Sequence, residues 1–358
     1  MNEWKTVRLG DVATYINGYA FKPSDWTNEG LPIIRIQNLT GNDYETNYFN
    51  GELPEKYYIK NGDVLISWSA SLGVYEWKKS DALLNQHIFK VVFNKLDVDK
   101  KYFMFTVSNL LNAMTKQTHG STMRHITKPD FDNMEFPLPP LAEQKHIAAI
   151  LDKTQKIIAE HKQMLQKYDT LIKSRFIEMF GDNNFQKKKW NEIFITKTGK
   201  LDSNAMVEDG EYPFFTCAKE VFKIDKYAFD QEALLLAGNN AAGKYDVKHY
   251  KGKFNAYQRT YVLSLKEEWE YPLFKYQLED KLEYLRQQSL GGLTKYLTLK
   301  ILETLDFIVP PIGLQKKFTT FVQQIDKSKS AVQKSLEKTE TLYKSLMQQY
   351  FACVGYFR

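Results

Sequence analysis

The segment FPLPPLAEQKHIAAIL at 136–151 recurs as FIVPPIGLQKKFTTFV at 307–322, an offset of 171 residues in a chain of 358. Self-similarity of this kind fixes the architecture before any local structure is read. Between 136–180 and 307–351, thirteen of 45 positions are identical, where about 3 are expected for unrelated stretches of ordinary composition. The identities include Phe136/Phe307, Pro139/Pro310, Pro140/Pro311, Gln144/Gln315, Lys145/Lys316, Leu171/Leu342, Ser174/Ser345 and Phe180/Phe351. Upstream, GSTMRHIT (120–127) lies over GGLTKYLT (291–298) at the same offset, and NQHIFKVVF (85–93) lies one residue off YQRTYVLSL (257–265). Earlier still the copies drift in length, with Trp4 and Trp190 as equivalent starts. The chain is a tandem duplication whose copies agree towards their C-terminal ends and diverge in their N-terminal parts.

The shared tail reads as a long helix. Each Pro-Pro pair ends a strand and presets a helical turn, where a missing N–H removes nothing. Apolar positions then fall at Ile147, Leu151, Thr154, Ile158, His161, Leu165, Tyr168, Ile172, Arg175 and Met179. The second copy repeats the register at Phe318, Val322, Ile325, Lys329, Val332, Leu336, Thr339, Tyr343, Leu346 and Tyr350. Alternating steps of three and four predict coiled-coil packing, with each helix ~60 Å long. A stripe of that length needs a cover, and the nearest is the other copy, packed antiparallel about a pseudo-twofold. His161, Arg175 and Lys329 interrupt the stripe either as register-setters or as seam-edge side chains reaching water.

Each remaining half reads as mixed α/β. Strands are predicted at 31–39, 62–69, 87–93 and the DNMEFPLP segment of the first half, and at 212–218, 232–238 and 260–265 of the second; helices are predicted at 99–118 and 271–288. The organisation is therefore a globular domain over 1–140, a spacer helix over 141–181, a second globular domain over 182–311 and a second spacer helix over 312–358. QKKKW (186–190) reads as a solvated linker.

Composition and motifs exclude more than they assign. No stretch is long and apolar enough to span a membrane, and the first residues lack a signal-peptide pattern. Two cysteines, Cys217 and Cys353, build neither a disulfide framework nor a zinc site, which fits a reducing cytoplasm. The net charge of +6 leans mildly towards anionic partners. No dinucleotide or P-loop glycine motif occurs, and no NPPY-like methyltransferase motif. GNNAAGK (238–244) has no nucleotide-binding spacing and reads as a hairpin loop. EDKLEY (279–284) offers an acid–acid–lysine cluster that a magnesium-dependent nuclease would use. On its helix, however, Glu279 and Glu283 read as surface pairs with Lys.

What remains is a duplicated, non-catalytic body carrying two divergent heads on a paired-helix spacer. Such a body suits a ligand with two sites at matching separation, and duplex DNA repeats its grooves about every 34 Å. FPLPPLAEQKHIAAILDK, together with LGDVATYINGYAFK near the start and GSTMRHIT before the helix, resembles the specificity (S, HsdS) subunits of type I restriction-modification systems. The resemblance covers essentially the whole chain. It implies that each globular half is a target-recognition domain reading one half of a bipartite, asymmetric DNA sequence. It further implies that the helices set the gap and dock two modification (methyltransferase) subunits that methylate adenine. S-adenosylmethionine, ATP and Mg2+ would then be used by partner subunits, including a separate restriction (translocase/endonuclease) subunit, and none by this chain. Gln144, Lys145, Gln315 and Lys316, shared by both copies, are the expected partner contacts; the second copy departs from the pattern where Leu314 replaces Glu143.

Readout of base edges needs amides and cations at strand ends and loops. In the first head the candidates are Arg35, Gln37 and Asn38, with Arg35 and Gln37 alternating on one strand face, together with Ser67, Ser69, Ser71, Gln86, His87 and Arg124. In the second they are Thr216, Lys219, Asn239, Asn240, Lys244, Gln258, Arg259 and Lys295. Arg124 and Lys295 are equivalent in the repeat, which suits a phosphate contact. Gln86 and Gln258 suit either readout or a shared structural hydrogen bond, and Trp68 reads as packing. Two other readings stand beside this one: a coiled-coil adaptor that binds proteins, discriminated by weak salt dependence, and a nuclease, discriminated by Mg2+-dependent cutting.

Overall fold

Pro140 and Pro311 stand immediately before the two longest helices, Leu141–Phe180 and Ile312–Phe351, each of 40 residues. Their carbonyls accept the first helical hydrogen bonds, from Gln144 N–H at 3.0 Å and Gln315 N–H at 3.2 Å. At these positions proline's missing donor removes nothing. The structure, a computed structural model, describes residues 4–41, 46–117, 126–181, 184–241, 243–292 and 294–351. All ten stripe positions in each long helix are buried or half-buried. Among the described residues no helix is long and apolar enough to cross a membrane.

Contacts divide the chain inside these helices. One compact unit is Met1–Lys162 with Ser335–Arg358, and the other is Gln163–Lys334. Each unit therefore owns the start of one long helix and the end of the other, and within each the two segments run antiparallel. In the first unit Gln155 Nε2 donates to Tyr343 Oη at 2.8 Å, Lys162 pairs with Glu340 at 2.9 Å, and Phe351 reaches Tyr102 with ring centroids 5.9 Å apart. In the second unit Lys329 pairs with Asp169 at 2.5 Å, Arg175 lies 5.8 Å from the Phe321 ring, and Phe180 lies 5.7 Å from Phe318. Lys329 thus acts across the seam. The identity of Phe180 and Phe351 has a packing cause: each closes the core of its own unit with the last turn of a helix.

The first unit holds two four-stranded sheets. One runs in the order Thr14–Asn17, Ile88–Val92, Val64–Ser67, Gly73–Glu76; the other runs Asn47–Phe49, Leu31–Ile34, Ala82–Leu84, Tyr58–Ile59. Helix Lys100–Gln117 lays Tyr102, Phe103 and Val107 into a core shared with Tyr15, Phe89, Phe131 and Phe136. The second unit joins the equivalent strands into one six-stranded sheet ordered Phe194–Thr198, Thr260–Leu265, Phe229–Ala237, Val247–Ala256, Tyr212–Phe215, Phe222–Ile224. Its core gathers Trp190, Phe194, Phe274, Phe307 and Phe318.

Three local expectations change. The predicted strand over 31–39 stops at Ile34 and turns into a short helix, Ile36–Leu39, because Asn38 Oδ1 accepts the Arg35 N–H at 2.9 Å and closes the turn. QKKKW is not a linker: Lys187–Lys189 forms a strand antiparallel to Asp306–Ile308, with Lys189 paired to Asp306 at 2.7 Å and Lys188 Nζ 4.9 Å from the Trp269 ring. The helix over 271–288 breaks at Lys281 into Tyr271–Asp280 and Leu282–Gln288, a restart that brings Leu285 into the core. Strand Val247–Ala256 escaped prediction because its first seven residues alternate polar side chains outward and Gly252 sits inside it at φ 133°.

Candidate nucleic-acid interface

In each unit several strand ends meet at one edge, and the same backbone lattice holds them. In the first, Gly18 N–H donates to Ile88 O at 3.1 Å, Gln86 N–H to Tyr19 O at 2.9 Å, Asn85 N–H to Ile34 O at 3.3 Å, Trp68 N–H to His87 O at 3.3 Å and Ile126 N–H to Trp68 O at 3.2 Å. In the second, Gly199 N–H donates to Thr260 O at 3.4 Å, Gln258 N–H to Leu201 O at 2.8 Å, Tyr257 N–H to Phe215 O at 2.9 Å, Gly238 N–H to Arg259 O at 2.8 Å and Leu297 N–H to Gly238 O at 2.8 Å. The two sets correspond bond for bond. Both lattices depend on glycine for close approach: a Cβ on Gly18 would lie 1.9 Å from Asn85 O, and one on Gly199 would lie 1.8 Å from Ala256 O.

On this common lattice the side chains differ. Among the candidate readout residues, equivalent positions carry Arg35 and Thr216, His87 and Arg259, and Ser69 and Asn239, whereas Gln86 and Gln258 agree. The shared hydrogen bond of these glutamines is made by their backbone N–H groups, which leaves the amides for other work. Gln258 Nε2 donates to Asp202 Oδ2 at 3.4 Å.

The predicted residues sort by burial. In the first unit Arg35 is half-buried with its guanidinium 4.5 Å from the Trp26 ring, and Gln37 is half-buried on the short helix. The alternation that placed Arg35 and Gln37 on one strand face does not exist, because the chain there is a turn and helix. Asn38 is buried and closes that turn. Ser67 is fully buried and donates to Ser71 O, and Ser69 is buried as well. Of the three serines only Ser71 is exposed. His87 is half-buried at φ 72°, its ring 5.0 Å from Trp68. Trp68 stacks on Phe89 at 5.5 Å and donates to Asn17 Oδ1 at 3.2 Å, a packing role. Arg124 lies outside the described residues.

In the second unit Thr216 is buried and its hydroxyl accepts Ala218 N–H at 3.1 Å. Lys219, Lys244, Gln258 and Arg259 are exposed. The Gly-rich run is the hairpin between Phe229–Ala237 and Val247–Ala256. Within it Asn239 and Asn240 pair with Tyr296 and Lys295 as short antiparallel strands, and Asn240 Oδ1 accepts Lys244 N–H at 3.1 Å. Asn239, Asn240, Arg259 and Lys295 are thereby gathered on one edge. Sequence reading missed Arg286, whose Cγ would lie 2.9 Å from a Cβ on Gly243; the predicted unbroken helix gave no sign that it faces the hairpin. The edge offers amides and cations, the groups that read base edges and hold phosphates. Elsewhere Glu279 pairs with Lys275 at 2.6 Å. Among the described residues no three His, Cys, Asp or Glu side chains are grouped to hold a metal ion.

The partner candidates divide. Gln144 and Gln315 are each 1% exposed. Gln144 Nε2 donates to Pro139 O at 2.8 Å and its Oε1 accepts Asp99 N–H at 2.9 Å. Gln315 Nε2 donates to Pro310 O at 2.8 Å and its Oε1 accepts Glu270 N–H at 3.1 Å. Both tie a long helix to the start of the domain helix beside it, so burial removes them from any partner surface. Lys145 and Lys316 are exposed.

The family model of the type I restriction modification DNA specificity domain matches residues 1–167 and again 182–340. The chain belongs to that family. Among similar DNA specificity proteins, the EcoBI specificity subunit of Escherichia coli is 29% identical over 205 residues, 56% of this chain and 43% of the relative. The EcoDI specificity subunit of Escherichia coli is 37% identical over 149 residues, 40% of this chain and 32% of the relative. The matches thus span less than half of those relatives. The solved S subunit from M. genitalium shares the fold, with a TM-score of 0.66 and 17% identity over 98% of this chain and 97% of that one.

Proposed function

We propose that this DNA specificity protein reads duplex DNA for a type I restriction-modification enzyme, each unit recognising one half of a bipartite, asymmetric target. The observation that carries the reading is the repeated lattice with unlike side chains: at one equivalent place the scaffold carries His87 in the first unit and Arg259 in the second. Different donors and acceptors on the same backbone select different bases. The lysines beside them, Lys219 and Lys244, suit phosphates, which position the protein without carrying sequence information. Two linked half-readers gain affinity through effective concentration when the spacer matches the gap, and the paired long helices serve as that spacer.

In this reading the chain works without catalysis, inside the cytoplasm. The chemistry belongs to two docked methyltransferase subunits using S-adenosylmethionine and to restriction subunits using ATP and Mg2+. The test is a genome-wide map of N6-methyladenine in the host with and without the gene. The expected result is loss of methylation at one asymmetric, two-part motif with a fixed gap. An unchanged map in a strain where the system is transcribed and its methyltransferase is active refutes the proposal.

A further inference from the structure

The strand that leads into each readout edge is placed alike in the two units. Leu31–Ile34 sets Pro32 opposite Tyr48, and Tyr212–Phe215 sets Pro213 opposite Lys223. Ahead of each strand lies a short 3-10 turn, Pro23–Asp25 in one unit and Ser203–Ala205 in the other. The chain just beyond each turn is tied to the same neighbouring strand: Thr27 N–H donates to Tyr48 O at 3.0 Å, and Val207 N–H to Lys223 O at 2.9 Å. Trp26 and Met206 therefore stand at one equivalent place. So do Arg35 and Thr216, which directly follow the lattice carbonyls of Ile34 and Phe215. The two places differ together. Arg35 stacks its guanidinium on the Trp26 ring, 4.5 Å from the centroid, whereas Thr216 is buried and its hydroxyl accepts Ala218 N–H.

Arg35 is half-buried, and among the described residues no carboxylate pairs with it. Arg175 and Arg286, by contrast, each hold a glutamate, at 2.8 and 2.9 Å. The indole is itself 39% exposed. Both members of the pair sit on fixed main chain: Asp25 Oδ2 accepts Lys22 N–H at 2.7 Å and closes the turn before Trp26, and Asn38 Oδ1 accepts the Arg35 N–H at 2.9 Å. Stacking sets the plane of a guanidinium and leaves its in-plane N–H donors open. Such a fork matches two acceptors lying in one plane, which guanine presents in the major groove as O6 and N7. A phosphate contact needs only charge, and both half-sites present the same phosphates, so it would serve both units alike. We infer that Arg35 reads a guanine in the first half-site by donating to O6 and N7, that Trp26 positions it, and that the second unit lacks this reader. The inference rests on the proposed function for duplex DNA as the ligand.

The test uses the full chain in complex with the methyltransferase subunits of its own system, on duplexes carrying the motif that the methylation map supplies. The half-site of the first unit is the one that survives exchange of residues 182–311. At one position of that half the parent is expected to prefer guanine over any other base by about 5–150-fold. Binding should also weaken about 5-fold when that guanine is 7-deazaguanine, which lacks the N7 acceptor. Arg35→Lys keeps the charge and is expected to abolish both effects. Trp26→Ala should reduce the preference about 2–5-fold at that position alone, with the second half-site and the melting midpoint unchanged, and Trp26→Phe should restore most of it. Arg35→Lys with every base preference intact assigns the guanidinium to a phosphate and overturns the inference, leaving the proposed function standing. A parent indifferent to 7-deazaguanine throughout the first half-site does the same, and that arm needs no variant to fold. Trp26→Ala with the parental preference overturns the positioning role. An unchanged methylation map overturns the proposed function and this reader with it.

Discussion

Replacing Gln144 with alanine should unlock the base of the first unit. Its amide makes two hydrogen bonds to main-chain groups, at 2.9 Å to Asp99 N–H and 2.8 Å to Pro139 O, in a site only 1% exposed. Alanine leaves a backbone donor and a backbone acceptor buried without those partners, at about 1–3 kcal/mol each. Release of the ordered side chain returns about 1.5 kcal/mol. The net loss is about 3 kcal/mol. The unit comprises 186 residues, for which about 2–4 °C of Tm accompanies each kcal/mol, so its melting transition should fall by ~6–12 °C. Differential scanning calorimetry gives the shift, and amide hydrogen exchange should show faster exchange at Asp99 and the first turn of helix Lys100–Gln117. Gln315→Ala should act alike in the second unit, somewhat more weakly because its Glu270 contact is longer, at 3.1 Å. Lys145→Ala, exposed on the same turn, should leave the transition within ~1 °C. A Gln144→Ala protein that melts within ~2 °C of the parent but fails to recruit its partner subunit would refute the capping argument and restore the glutamine as a contact residue.

Other outcomes follow from the same geometry. Gly199→Ala forces a Cβ to within 1.8 Å of Ala256 O, which should cost about 3 kcal/mol in urea unfolding of the second unit and degrade recognition of one half-site only. Arg259→Ala, exposed on the shared lattice, should lower affinity by about 1–3 kcal/mol for the cognate half-site and relax its sequence preference. Lys244→Ala should instead weaken all sequences alike and reduce the log–log salt slope by about 1, as read by fluorescence anisotropy. The Lys100 hydrogen bond at 2.6 Å, reinforced by Lys78, holds the Glu76 carboxyl below its ordinary range despite partial burial. The folded state therefore binds that proton less tightly than the unfolded chain. The stabilisation is present above the unfolded carboxylate value and is lost as pH falls through the depressed one. Glu76→Gln should consequently cost up to about 1 kcal/mol at pH 7 and nothing at the acid end of a pH series of melts. Exchange of residues 182–311 for the equivalent domain of a relative should alter one half of the methylated motif and leave the other unchanged.

The sequence alone determined the duplication, the two long helices and their inward stripe, because a three-four spacing on a helix leaves only one face to bury. It could not distinguish Asn38, Ser67 and Thr216, which look like readout groups but serve the local backbone. Nor could it separate buried Gln144 from exposed Lys145, which stand side by side and are equally repeated. Identity between copies reports that a role is shared, without saying whether the role faces the core or an outside partner. Only the tertiary structure decided that, because burial and hydrogen-bond partners come from segments distant in the chain. It decided the units as well. The copies in sequence are consecutive, yet each unit takes the end of one long helix against the start of the other, and Phe351 closes a core that begins near Leu9. A helix stripe specifies that it must be covered, whereas which antiparallel segment covers it depends on the whole chain coming together.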